Sequence, residues 1–213
     1  MTQSGLTKTQ RELQAVNQIL ESVGQAPVTS LNQSNPDVAI AHDTLEQVSR
    51  DVQAEGWTFN KEYHYALSRE TDKTINVTDG MLQVTLCPAD VSNKDKRAVV
   101  RTQNVGDTQR KLYDIINHTF EWPHTMVVDI IFFVEWVAIP IPVQTYIVSR
   151  AAKIYSQRTV GDGTQYTALQ EQETTCRAYA LEYETSQIER SMFGYDRDGS
   201  FYNSYQPFSA LMR

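Results

Sequence analysis

Cysteine is almost missing from this chain. Cys87 and Cys176 are its only two, they stand far apart, and neither belongs to a metal-like spacing. A disulfide framework is therefore excluded as the basis of the fold, and reduced thiols in a cytosol are the expected state. Basic residues are outnumbered: 19 Lys and Arg face 26 Asp and Glu, for a net charge of −7 and a pI of about 5.1. A surface of that sign does not, as a whole, grip a phosphate backbone. The opening residues, MTQSGLTKTQRE, hold no apolar stretch, so no secretion signal is expected. Without a secretory route the sequons at Asn76 and Asn117 carry no meaning. The longest apolar run, Met126 to Val148, is interrupted by Asp129, Glu135, Pro140 and Pro142. Charges at bilayer depth are costly and an X-Pro pair favours extended chain. The run reads as a buried strand feeding a helix, with no membrane span.

Recognisable catalytic motifs are also scarce. There is no Gly-rich phosphate loop, GxSxG, HExxH or CxxC. His118, Glu121 and His124 cluster in HTFEWPH, but Pro123 lies among them, and on an extended chain Glu121 points away from the two histidines. A structural loop is the reading there, not a metal centre. DRDG (Asp196 to Gly199) places its glycine too early for a calcium loop and lacks the later Glu, so it reads as a turn. His42 and His64 are isolated in sequence, and Cys87 precedes a proline with no visible base. No cofactor and no metal are expected. Carboxylates are plentiful, so a glycosidase-like pair stays open as a residual.

What is present is helical periodicity at both ends. The 213 residues are 40% hydrophobic and 21% charged, enough for one ordinary domain with its own core. Leu13, Val16, Leu20 and Val23 share one helical face, and Gly24 and Pro27 end that helix. A polar connector leads to Asn35 as N-cap and Pro36 at the first helical position. Val38, Ala41, Leu45, Val48 and Val52 form the next seam. Gly56 is expected at C′, in the left-handed conformation, with Trp57 at C″ folding back on the last turn as a packing anchor and not a ligand platform.

After Trp57 the period changes. Thr74 to Leu86 reads as a hairpin around Thr78-Asp79-Gly80. RAVVRTQN, RKLYDIIN and HTFEWPH continue as short extended pieces, and TMVVDIIFFVEWV has the composition of a buried strand. From Val143 the helical period returns through Ile147, Ala151 and Ile154, leaving Arg150, Lys153 and Arg158 outside. Thr164 is placed to cap a long last helix whose seam is Tyr166, Leu169, Cys176, Ala180 and Tyr183, interrupted by Glu173. That helix is acidic outside the seam (Glu171, Glu182, Glu184, Glu189) and is expected to end near Phe193-Gly194.

The expected fold is α+β: a predominantly helical bundle of four helices, a mostly β insertion between helices 2 and 3, and an extended C-terminal arm. The corresponding boundaries are 8–56 and 141–194 for the bundle, 57–140 for the insertion and 195–213 for the arm. In the arm Tyr195, Phe201, Tyr202, Tyr205 and Phe208 fit no helix or strand period. A free tail is normally poor in aromatics, so this one docks, on its own domain or on a partner. The partner is favoured because a complete bundle precedes it.

A resemblance adds to this reading. Val16, Asn17, Ile19, Leu20, Ser22, Gly24, Pro27, Val28 and Leu31, followed by Gly56, Trp57, Thr58, Phe59 and Asn60, resemble the tail tubular protein A family of T7-like short-tailed phages. KLYD (Lys111 to Asp114), FEW after it, and the terminal LMR are similar to the same family. The likeness is specific over residues 12 to 60, looser through the β insertion and mainly architectural after 140. Gly56, Trp57, Phe59, Leu112 and Tyr113 are its core signature.

The resemblance implies a structural virion protein made and assembled in the host cytoplasm, not an enzyme. It implies a homo-oligomeric ring of twelve copies, a tail adaptor joining the portal protein above to the nozzle of tail tubular protein B below. The same resemblance implies that double-stranded DNA passes through the lumen without sequence-specific binding. The arm, with Tyr195, Phe201, Tyr202, Tyr205, Phe208, Leu211 and Arg213, corresponds to the family's portal-docking segment. An acidic chain suits a conduit that lets DNA slide. Two other classes compete: an interaction or scaffold module of another helical assembly, and an envelope hydrolase using a carboxylate pair.

Overall fold

The computed structural model describes residues 7–31, 35–87, 90, 93, 95–104 and 106–188. Helix α1, Lys8–Glu21, starts on a capping box: the Thr7 hydroxyl accepts the Gln10 N–H at 3.4 Å, and the Gln10 side chain accepts the Thr7 N–H at 2.9 Å. Its buried face is Ala15, Val16, Ile19 and Leu20, with Leu13 and Val23 half-buried at the margin. The connector is tied back by Asn17. Its amide donates to the Val28 carbonyl at 2.9 Å and accepts the Val28 N–H at 2.8 Å.

Helix α2, Pro36–Gln53, begins where the sequence placed it, with Asn35 accepting the Asp37 N–H at 3.1 Å and Pro36 in the first turn. All five seam residues, Val38, Ala41, Leu45, Val48 and Val52, are buried. The C-cap is Ala54, so Gly56 lies one position further out than the C′ site expected of it. Its φ of +80° is left-handed as expected.

Six strands follow among the described residues: β1 (Lys61–Leu67), β2 (Asn76–Val77), β3 (Met81–Leu86), β4 (Ala98–Thr102), β5 (Arg110–Asp114) and β6 (Met126–Phe132). They form two antiparallel sheets of three, ordered β1-β6-β3 and β2-β5-β4. The sheets share a core of Leu67, Ile75, Val77, Met81, Val84, Leu112, Trp122, Met126, Val128 and Ile130. The expected Thr74–Leu86 hairpin is corrected here. A turn is present, with Met81 N–H donating to the Thr78 carbonyl at 3.0 Å, but β2 pairs with β5 and β3 with β6. The turn thus hands the chain from one sheet to the other. HTFEWPH is also not a strand: it is a turn-rich loop with one isolated bridge, Asp114 to Thr119. Trp122 anchors it, fully buried and donating to the Leu112 carbonyl at 2.9 Å.

A 3-10 turn at Trp136–Ala138 leads into α3, Ile141–Thr159, which carries Pro142 in its first turn. The buried face of α3 is wider than the expected stripe: Val143, Tyr146, Ile147, Val148, Ala151, Ala152 and Tyr155 are all inside. Helix α4, Gly163–Ile188, is 26 residues long, about 39 Å at 1.5 Å per residue. Its cap is Asp162, whose carboxylate accepts the Thr164 N–H at 3.0 Å, and not Thr164 itself. The helical core joins α1, α2 and α3 with Trp57, Trp136, Ile139 and, from α4, Ala180. The fold is mixed α+β, with four α-helices among the described residues and a strand-rich insertion between α2 and α3. The expected helix end near Phe193-Gly194 lies outside the described residues.

Candidate functional site

Three of the five signature residues, Gly56, Trp57 and Phe59, meet at the junction of bundle and sheets. Trp57 is buried and its indole N–H donates to the Val52 carbonyl at 2.7 Å, on the last turn of α2. Asn60 accepts the Trp57 N–H at 2.9 Å and donates to the Gln53 and Phe132 carbonyls, each at 2.9 Å. One side chain thereby ties the end of α2, the entry to β1 and the exit of β6. Gln53, fully buried, also donates to Ser49 Oγ at 3.0 Å and the Val134 carbonyl at 3.1 Å. Burial of polar groups is tolerated when each finds such a partner. Gly56 lies against the sheet: a β-carbon there would stand 2.7 Å from Ile131 Cδ1. Phe59 is half-buried and packs on the helical core.

The junction extends onto α4. The Thr58 N–H donates to Glu184 Oε1 at 2.7 Å, and the Thr58 hydroxyl reaches the same oxygen. The Tyr146 ring lies 6.4 Å from Trp57, and its hydroxyl accepts from Arg150 at 3.0 Å and Arg177 at 2.8 Å. Glu55 bridges both guanidiniums, each at 3.3 Å. Burial is the largest influence on Arg150 and pulls its pKa down. The Tyr146 hydroxyl and the carboxylates of Glu55 and Glu173 outweigh it, so Arg150 stays above its ordinary range. Lys153 pairs directly with Glu173, the polar interruption in the α4 seam.

The α4 seam matches its sequence pattern. Tyr166, Leu169, Glu173, Cys176 and Tyr183 are half-buried and Ala180 is fully buried. Outside it Tyr179 and Leu181 remain 63% and 44% exposed, large apolar groups on a long helix with no cover among the described residues.

Leu112 and Tyr113 lie in the second sheet, apart from the Trp57 junction. Leu112 is buried, its N–H donating to the Ile75 carbonyl at 2.9 Å. Tyr113 packs on Phe120 with centroids 4.8 Å apart, beneath the Arg101 guanidinium. Next to them Asp114 is buried. Burial raises its pKa, but donation from Asn117, Ile116 and Arg97 wins and holds it below the usual carboxylate range.

The arm residues Tyr195, Phe201, Tyr202, Tyr205, Phe208, Leu211 and Arg213, and the DRDG turn, lie outside the described residues. His118 is at φ +53° in its turn and Glu121 pairs with Lys73 at 3.5 Å. His64 is not isolated in space, since it faces Asp129 and Cys87. Gln53, Asn60, Glu55, Arg177 and Glu184 escaped the sequence reading as a set. The usable signal was Gln53 itself, an uncharged polar residue beside Val52 on the buried side of α2.

The described residues form a two-core α+β chain whose bundle and sheets are locked by a polar junction and whose last helix exposes Tyr179 and Leu181. The family model described as tail tubular protein matches residues 13–190. The chain belongs to the tail tubular protein family and is a structural component of a bacteriophage tail. No curated protein matches it. Among the described residues no helix is long and apolar enough to cross a membrane.

Proposed function

We propose that this tail protein is the adaptor between the capsid portal and the tail nozzle. Twelve copies form a ring below the portal protein, the nozzle of tail tubular protein B attaches beneath, and double-stranded DNA leaves through the lumen. The observation that carries this reading is the family match over residues 13–190, which makes the chain part of a tail. The surface of α4 supports the finer step. A cyclic ring needs two different contact patches on each copy. Tyr179 and Leu181 are exposed about 160° apart around the helix, at 100° per residue, one on each flank of the seam. A chain of net charge −7 suits a passage for DNA, because phosphate is not held.

Residues 195–213 supply the portal contact, with their aromatics as anchors. Residues 8–56 and 141–194 form the unit that packs around the ring, and 57–140 the inserted unit. Many weak segments on one ring give avidity, so the chain alone is a monomer and closes into a ring on its portal. Assembly takes place in the host cytoplasm.

The test is negative-stain electron microscopy of the chain mixed with the portal protein of the same phage genome. A new ring on one face of the portal is the expected result, and its copy number is read from the same images. A portal that stays bare at high protein concentration overturns the adaptor reading. Deleting Tyr195 to Arg213 is expected to leave the melting transition in place and abolish portal binding. Retained binding removes the segment's assignment and leaves the adaptor reading standing.

A further inference from the structure

The first sheet carries a three-residue donor set that the tail role does not use. Asp129 lies on β6, the middle strand of β1-β6-β3. On one side β1 runs out of register, pairing Glu62 with Ile130 and then Tyr65 with Val128, so Tyr63 and His64 together stand opposite Asp129. Such a bulge re-aims a side chain. His64 takes φ +56° there, and its N–H donates to Asp129 Oδ1 at 3.1 Å. On the other side Cys87 follows directly on β3, where Thr85 pairs with Asp129. The imidazole nitrogen, the thiol sulfur and a carboxylate oxygen all lie within 4.8 Å of one another.

The three differ in exposure as an open metal site requires. Cys87 is buried and held in place: its N–H donates to the Val127 carbonyl at 3.1 Å, and Asn93 donates to its own carbonyl at 2.9 Å. Asp129 is half-buried and His64 is exposed, so an ion enters from the His64 side. One sulfur, one imidazole and one carboxylate match a borderline divalent ion such as Zn2+ or Co2+. Mg2+ and Ca2+ prefer oxygen ligands throughout. Bond lengths of about 2.0 to 2.3 Å put tetrahedral ligand atoms about 3.3 to 3.5 Å apart, so modest side-chain rotation closes the set.

We propose that His64, Cys87 and Asp129 bind one Zn2+-type ion per chain, with water at the fourth position. The Cys87 thiol releases its proton to solvent as the metal–sulfur bond forms. The ion joins all three strands of the first sheet and fixes the His64 bulge.

The test uses the full chain with Co2+ alone as the probe. One equivalent is expected to give visible d–d bands and a near-ultraviolet thiolate-to-cobalt absorption, both removed by added Zn2+. C87S abolishes the charge-transfer band, H64Q and D129N each weaken binding at least tenfold, and C176S changes nothing. The proposal is overturned if the unmodified chain gives no such band, if the band survives C87S, or if H64Q and D129N both bind as tightly as the parent. Should C87S fail to fold, the unmodified chain answers the question by mass mapping. Zn2+ is expected to slow alkylation of Cys87 by iodoacetamide at least tenfold and leave Cys176 untouched, and equal rates at Cys87 overturn the site.

Discussion

Gln53 and Val134 form a reciprocal pair across 81 positions of sequence: the Gln53 amide donates to the Val134 carbonyl at 3.1 Å, and the Val134 N–H donates back to Gln53 Oε1 at 2.7 Å. A side chain at the end of α2 thus completes the backbone hydrogen bonding of the segment after β6. Asn17 does the same for Val28. In both cases an amide clasps a stretch of backbone that has no strand partner of its own, which is how buried loop backbone avoids the cost of unpaired groups.

Replacing Gln53 by Leu keeps most of the volume and leaves the Val134 N–H and carbonyl without that partner. Two such groups at about 1 to 3 kcal/mol each, partly rehydrated, put the expected loss near 2 to 4 kcal/mol. Urea unfolding of the variant checks this. A change under about 0.5 kcal/mol, the scale of an ordinary surface substitution, would mean that the pair is not a structural tie.

What the sequence made legible follows the range of the interactions. Asn35, Pro36 and the Val38–Val52 seam act within a few residues, and α2 has the start and the buried face that they dictate, with its end one residue early. The α4 seam also held, from Tyr166 to Tyr183, because a narrow stripe against one neighbour leaves a regular trace in sequence. The Thr78-Asp79-Gly80 turn is just as local, but it does not say which strands its arms will join. Those partners, β5 and β6, come from over thirty residues away. The partners of Gln53 and Asn60, and the His64–Cys87–Asp129 set, are legible only once such pairings exist.

Gly56 and Gly24 separate two reasons for a glycine. Both have positive φ, at +80° and +77°, but a β-carbon at Gly24 meets nothing within 4 Å, and one at Gly56 meets Ile131 Cδ1 at 2.7 Å. Gly24→Ala is expected to cost about 1 kcal/mol from backbone strain. Gly56→Ala is expected to cost more, and Ile131→Val, which lacks Cδ1, should recover the excess. A double-mutant cycle on unfolding free energies reads this directly. Equal costs at the two glycines contradict the steric part.

Asp114 makes the fold acid-sensitive. Its folded pKa lies below the ordinary 3.8 despite burial, because four donor contacts from Asn117, Ile116 and Arg97 favour the carboxylate. A depressed value stabilises the fold above the unfolded pKa, and that contribution disappears as pH falls through the folded one. Stability should therefore decline from about pH 4 downward, with Asp72, lowered chiefly by the Thr74 hydroxyl, acting in the same direction. Asp114→Asn should lose roughly 1.5 to 3 kcal/mol at pH 7, the range for hydrogen bonds to a charged group, and show a shallower acid decline. Denaturation at a series of pH values tests both, and parallel profiles for parent and variant rule Asp114 out as the source.

Three consecutive positions on α4 should behave in opposite ways. Ala180 is fully buried in the helical core, so Ala180→Leu overpacks it and should cost about 1 to 3 kcal/mol in the isolated chain. Tyr179 and Leu181 stand about 100° to either side of it and are exposed. Tyr179→Ser and Leu181→Ser should each leave the isolated chain within about 0.5 kcal/mol of the parent. On the proposed ring the two flanks meet different neighbours, so either change alone should impair ring closure on the portal. Melting curves measure the first effect, and particle images of the portal mixture measure the second. If the serine variants close rings as well as the parent does, the contact between copies lies elsewhere. If they melt as Ala180→Leu does, these flanks serve the chain's own fold and not its assembly.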